Sequence, residues 1–223
     1  TVSRQWEHRR LALLWKLRQG ELPCLVATVE AMQQRTLPPE VLDGACTVLE
    51  PGQQADLNQL TEALTAAGYT RCDQVEGPGQ FALRGGILDV FSPGMAAPVR
   101  AEFWGDELDT MGTFDPSTQR RTENVDRAIL LPAAETLPHL APGGLSSLLE
   151  QLDKLAARAQ KYGNGELAST LQQDRDTLGE GRSFPAADRY LPLIYPKLAT
   201  AADHLPLDAC VLFSESSRVG ERA

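Results

Sequence analysis

Residues 69–132 read YTRCDQVEGPGQFALRGGILDVFSPGMAAPVRAEFWGDELDTMGTFDPSTQRRTENVDRAILLP. Short alternating runs separated by Gly, Pro and Asp clusters are the pattern of a small antiparallel sheet. Three runs carry it: QFALR (80–84), GGILDVFS (85–92) and PVRAEFWGDELDTMGTFD (98–115). Successive side chains of a strand point to opposite faces, so Val99, Ala101 and Phe103 share one face and Arg100, Glu102 and Trp104 the other. The apolar set requires burial. Arg100 and Trp104 are therefore expected on the open face, about 13 Å apart by the usual rise per residue. Phe81 and Leu83 point inward by the same alternation, and Arg84 outward. Two arginines and a tryptophan on one exposed sheet face are the residue mix of a protein-binding hot spot. The turn W-G-D-E (104–107) is expected to fold LDTMGTF back beside VRAEF as a hairpin.

Three motifs inside this stretch carry a resemblance: Q-V-E-x-P-G-x-F-x-x-R-G-G-I-L-D-V-F (74–91), P-V-R-x-E-F-W-G-D-E-L-D (98–109) and F-D-P-x-T-Q-R (114–120). In this order and with short gaps they resemble the excinuclease B (UvrB) homology module, in the form found in bacterial transcription-repair coupling factors (Mfd). Fainter likeness extends over LVATVEAMQQRTLPPEVL (25–42) and RYLPLIYPKLATAADHLPLDACVLFSE (189–215). The resemblance implies a domain that docks on UvrA, the excinuclease component that UvrB itself binds, during transcription-coupled nucleotide excision repair. Carried over by motif, its contact residues are Arg84 in F-A-L-R-G-G, Arg100 in P-V-R-A-E-F and Trp104 in E-F-W-G-D-E. The family commonly has phenylalanine where Trp104 stands; an indole is larger and adds an N–H donor. The resemblance further implies a parent that is an ATP-dependent DNA translocase, with other domains that mask this face and that engage RNA polymerase and DNA.

Composition sets bounds independent of any likeness. The 223 residues suffice for one large or two small domains, and 42% hydrophobic with 23% charged residues is ordinary for a globular protein. No apolar run is long enough to span a bilayer and no charged-then-apolar leader opens the chain, so a cytoplasmic location and no membrane partner are expected. The cysteines Cys24, Cys46, Cys72 and Cys210 form no C-x-x-C pair; three lie in apolar runs, and they are read as reduced core residues. A net charge of −9 opposes a nucleic-acid-binding role for the chain as a whole. The chain opens on Thr1 and its last residues, SSRVGERA, read as the start of a helix, the pattern of a piece of something longer.

Taken in order, residues 3–19 read as a helix capped by Ser3 and ended by Gly20. PCLVAT (23–28) and ACVLFSE (209–215) are continuous apolar runs of the kind buried in a parallel sheet and are expected together in one α/β sheet, and ACTVLE (45–50) reads as a further strand. Asp56 caps a helix that closes on Gly68, residues 145–162 form an amphipathic helix with a leucine stripe, and a further helix runs to Gly179. The expected fold is α/β: a split lobe with a parallel-type sheet, degenerate from a helicase or ATPase, interrupted by a small α+β domain with an antiparallel sheet. Its expected parts are 1–45 and 132–223 for the lobe and 46–131 for the docking domain.

Chemistry is absent from the motifs. There is no G-x-x-x-x-G-K-[ST] phosphate loop and no G-x-S-x-G elbow. His8, His139 and His204 have no partners at metal-ligand spacing and are read as surface or capping residues. No enzymatic activity, cofactor or metal is expected. Alternatives stand beside the docking reading. Arg100 can pair across strands with Asp109 or Glu107; a one-residue slip would bury Trp104 and expose Phe103; Arg84 can satisfy carbonyls at the Gly85-Gly86 bend. Arg120 and Arg121 are weaker docking candidates. The rival function is a nucleic-acid-binding fragment of a UvrB-like helicase-type repair factor, recognisable by steep salt dependence. The third is a structural remnant that binds nothing.

Overall fold

The computed structural model describes residues 2–182, 184, 186–214 and 220. Helix α1 (Val2–Arg18) buries Leu11, Leu14 and Leu17 along one stripe. It begins before Ser3, which therefore lies inside the helix. Helix α2 (Val29–Gln33) starts under the Thr28 hydroxyl, which accepts from the Ala31 N–H. Strand β1 (Arg35–Thr36) and helix α3 (Pro39–Gly44) follow, with Pro39 in the first turn, where a missing N–H removes no helical bond. After strand β2 (Thr47–Leu49) comes α4 (Leu57–Ala66), capped by the Asp56 carboxylate, which accepts from the Asn58 and Gln59 N–H groups. Gly68 ends this helix at φ 87°, and a Cβ there would lie 2.6 Å from that of Ala134. Only glycine meets both demands.

Six strands then form one sheet in sequence order: β3 (Thr70–Arg71), β4 (Gln80–Arg84), β5 (Ile87–Phe91), β6 (Val99–Trp104), β7 (Glu107–Phe114) and β8 (Arg121–Asn124). Every neighbouring pair is antiparallel except β3–β4, which is parallel. Two-residue turns at Gly85-Gly86 and Gly105-Asp106 make β4–β5 and β6–β7 hairpins; the second is the hairpin expected at W-G-D-E, and the first turns at the Gly85-Gly86 bend. One face buries Phe81, Leu88, Val90, Val99, Ala101 and Met111 against Leu60 and Leu64 of α4. Strand β9 (Ala128–Leu130) returns to pair with β2. A second core joins α1 to helices α5 (Gly144–Lys161), α6 (Gly165–Gly179) and α7 (Leu191–Ile194), and β10 (Ala199–Thr200) pairs antiparallel with β1.

The parallel ladder expected for the lobe does not form among the described residues. Residues 22–28 and 205–213 run without β-pairing, with Val26 92% and Leu212 89% exposed. The strand expected in ACTVLE does form, at Thr47–Leu49, and pairs antiparallel with β9. An apolar run specifies burial but not its partner, and a ladder needs a second strand to satisfy its N–H and C=O groups. Cys24 and Cys210 are accordingly exposed, while Cys46 and Cys72 are half-buried, which corrects their reading as core. Glu215 and most of the expected terminal helix lie outside the described residues.

His8 and His204 are buried, contrary to the surface reading. Each donates from Nε2 to a carbonyl, that of Ala133 at 2.9 Å and that of Leu37 at 3.0 Å. Burial holds both imidazoles below their ordinary pKa, hence neutral. His8 is one of several ties on the segment after β9. Glu135, 1% exposed, accepts two bonds from Arg10 (2.5 and 2.7 Å) and one from the Thr36 hydroxyl (2.9 Å). Its N–H donates to Glu7 and its carbonyl accepts from the Tyr195 hydroxyl. One residue thus ties α1, β1 and the chain after α7 to the end of the sheet region.

Candidate docking face

The register of the sheet decides what its second face presents. Arg84 lies opposite Ile87, Ile87 opposite Glu102 and Glu102 opposite Thr110; in the next row Asp89 lies opposite Arg100, and Arg100 opposite Gly112. These side chains all point away from the main core. Trp104 continues the row at the tip of the β6–β7 hairpin, 86% exposed.

Asp89 organises the charge. Its carboxylate is 1% exposed and accepts from Arg100 Nε (2.7 Å) and Nη2 (2.8 Å) and from Arg84 Nη2 (3.0 Å). A buried carboxylate held by a bidentate arginine is a strong, directional pair, and the bond raises the Arg100 pKa further. Arg100 also stacks on the Phe114 ring, 4.6 Å from its centroid, and its side chain is only 17% exposed. Phe114 belongs to a small third core with Val75, Ala82 and Phe91, which covers part of this face. The Arg84 side chain is 54% exposed, well above that of Arg100.

Alternation therefore brings Arg84, Arg100 and Trp104 onto one face, as expected, but that face is open only at Arg84 and Trp104: Arg100 is largely covered, because it lies against the Phe114 ring of the small cluster packed there. The alternative carboxylates for Arg100, Asp109 and Glu107, are not its partners. Phe103 packs against the main core while Trp104 stays out, so the one-residue slip is absent, although a bulge between Glu102 and Phe103 bends the strand. Arg84 pairs with Asp89 and does not serve the Gly85-Gly86 carbonyls. Arg120 is exposed, whereas Arg121 lies across β7 and donates to Glu102 (3.0 Å) and Thr110 (3.3 Å).

Gly112 makes room for Arg121: a Cβ there would collide with Arg121 Nε and lie 2.5 Å from the Glu123 carbonyl oxygen. Gly112→Ala is expected to displace β8 and lower stability by about 1–3 kcal/mol, read as a shifted urea midpoint. A midpoint equal to that of the wild type would show that the edge strand yields freely.

Sequence reasoning passed over Asp89, Phe114 and Gln119. The signal for Asp89 is a single carboxylate between Leu88 and Val90 in an apolar strand, but pairing it needs the register. A shallow hollow of about 340 Å³ adjoins Arg84, lined also by Arg71, Cys72, Asp73 and Leu83. Among the described residues no group of three or more His, Cys, Asp or Glu side chains could hold a metal ion, and no helix is long and apolar enough to cross a membrane. What the face offers is a solvent-facing arginine, a pinned arginine and an exposed indole, a set suited to a carboxylate-bearing, partly apolar surface.

Comparison with known proteins places this face inside a family match. Residues 48–135 match the UvrB interaction domain. The chain is 30% identical to the transcription-repair-coupling factor of Bacillus subtilis over 225 residues, 99% of this chain and 19% of that protein. It is 28% identical to that of Haemophilus influenzae over 96% of this chain and 18% of the relative. Against that of Escherichia coli identity is 37% over 56% of this chain and 11% of the relative. The chain spans about a fifth of the length of the relatives it matches along most of its own.

Proposed function

We propose that this chain, similar along its length to transcription-repair-coupling factors and matching the UvrB interaction domain at residues 48–135, is the module through which such a factor recruits UvrA in transcription-coupled excision repair. One observation carries the reading: the matched segment contains the whole Arg84–Asp89–Arg100 cluster and Trp104, together on one sheet face. In this reading the module has no ATPase of its own. Residues 46–131 are the docking domain, and 1–45 with 132–223 are parts of a UvrB-like lobe of degenerate helicase type. It works in the cytoplasm, and RNA polymerase and DNA are engaged by other domains of the parent. The acidic partners of Arg100 and Arg121 neutralise the face locally, which favours a protein partner over a phosphate track.

Calorimetric titration of the chain with purified UvrA tests this. Arg84→Ala is the clean variant, because its side chain is the more exposed of the two at Asp89. It is expected to weaken binding by about 1–3 kcal/mol with an unchanged melting temperature. Wild-type chain that gives no heat with UvrA would end the proposal.

A further inference from the structure

Gln119 holds φ 60°, a left-handed backbone that non-glycine residues seldom adopt and that persists where the surroundings enforce it. The turn from Asp115 to Arg120 enforces it here. Asp115 donates its N–H to Arg120 O at 3.0 Å, and Gln119 donates its own to Asp115 O at 2.7 Å. The Asp115 carboxylate accepts from the Ser117 and Thr118 N–H groups, and Gln119 Nε2 donates to Pro116 O at 2.7 Å.

This geometry aims both oxygens of Gln119 at one guanidinium. Its backbone carbonyl accepts from Arg100 Nη1 at 3.2 Å and its Oε1 accepts from Nη2 at 3.3 Å. Together with the two bonds to Asp89, four of the five N–H groups of Arg100 are engaged. The remaining N–H is on Nη1. We propose that Gln119 is a positioning residue of the docking face: it fixes the plane of Arg100 so that the free N–H meets a carboxylate of the partner without further ordering. The inference rests on the docking reading above and adds a residue to which that reading gives no role. An arginine already held in place loses little rotamer freedom on binding, which is how preorganisation strengthens a contact. Only an amide serves here, because one end must donate to Pro116 O while the other accepts from Arg100.

The test is a set of calorimetric titrations with purified UvrA, each variant also melted by circular dichroism. Gln119→Gly keeps φ 60° accessible and removes only the side chain. It is expected to raise Kd about threefold to tenfold with little change in melting temperature. Gln119→Val, β-branched and strained at φ 60°, is expected to raise it further. In an Arg100→Ala background Gln119→Gly is expected to add nothing, since the effect runs through Arg100. A Kd equal to wild type for Gln119→Gly, with Arg100→Ala weakened, would overturn the positioning role and leave the docking reading standing. An equal loss in both backgrounds would overturn it too. Wild-type chain that does not bind UvrA would remove the docking reading and this inference together.

Discussion

Glu135→Ala is expected to lower the unfolding free energy by about 3–5 kcal/mol, the usual penalty for leaving one member of a buried ion pair unmatched. Burial pushes the Glu135 carboxyl upward in pKa, and the Arg10 guanidinium and Thr36 hydroxyl pull it back. The pair therefore stabilises mainly by geometry: it satisfies groups that three separate segments would otherwise bury unpaired. Removing the carboxylate strands Arg10, whose Nε and Nη2 both point at it, and the Thr36 hydroxyl. For a chain of this length the loss corresponds to a melting temperature lowered by roughly 6–20 °C. Arg10→Ala added to Glu135→Ala is expected to cost much less than Arg10→Ala alone, because the charge it removes is already unpaired. A melting temperature for Glu135→Ala within a degree or two of wild type would mean that water replaces the carboxylate and the segment is not a structural tie.

How much of this was legible beforehand depends on whether each feature is local. Alternation has a period of two along a single strand, so the outward direction of Arg84, Arg100 and Trp104 could be read from residues 80–104 alone. The Gly-Asp turn at 105–106 and the Asp56 cap were equally local. Asp89 was not, because its bond to Arg100 depends on the β5–β6 register, which a strand pattern leaves open. Glu135 is separated from Arg10 by 125 residues and sits in a Pro-rich stretch that reads as a loop. His8 pairs with Ala133 over the same distance. The apolar runs at 23–28 and 209–215 failed differently. Their composition states that they suit burial, and it carries no information about which strand would accompany them. The antiparallel sheet was thus readable because each hairpin brings its own partner, whereas the expectation of a parallel ladder rested on runs that name no partner.

On the docking role proposed above, Trp104→Ala is expected to weaken UvrA binding by at least about 2 kcal/mol, roughly thirtyfold, while stability stays within about 0.5 kcal/mol of wild type. The two halves of that expectation have separate physical sources. At 86% exposure the indole makes little contact within the fold, so truncating it opens no cavity. On a partner it can bury about 150–250 Å², about 4–6 kcal/mol of gross hydrophobic gain, part of which offsets the cost of association. Trp104→Phe keeps an aromatic ring at the hairpin tip and is expected to retain most of the affinity. Calorimetry with UvrA and a urea titration on the same three proteins separate the possibilities. Loss of binding in the alanine variant alone identifies an aromatic anchor. Equal loss in alanine and phenylalanine variants would assign the energy to the indole N–H, and the partner would then have to present an acceptor at the hairpin tip. Unchanged binding in both would confine the docking energy to the arginines around Asp89, and the affinity should then fall steeply with added salt, which an aromatic anchor would not do.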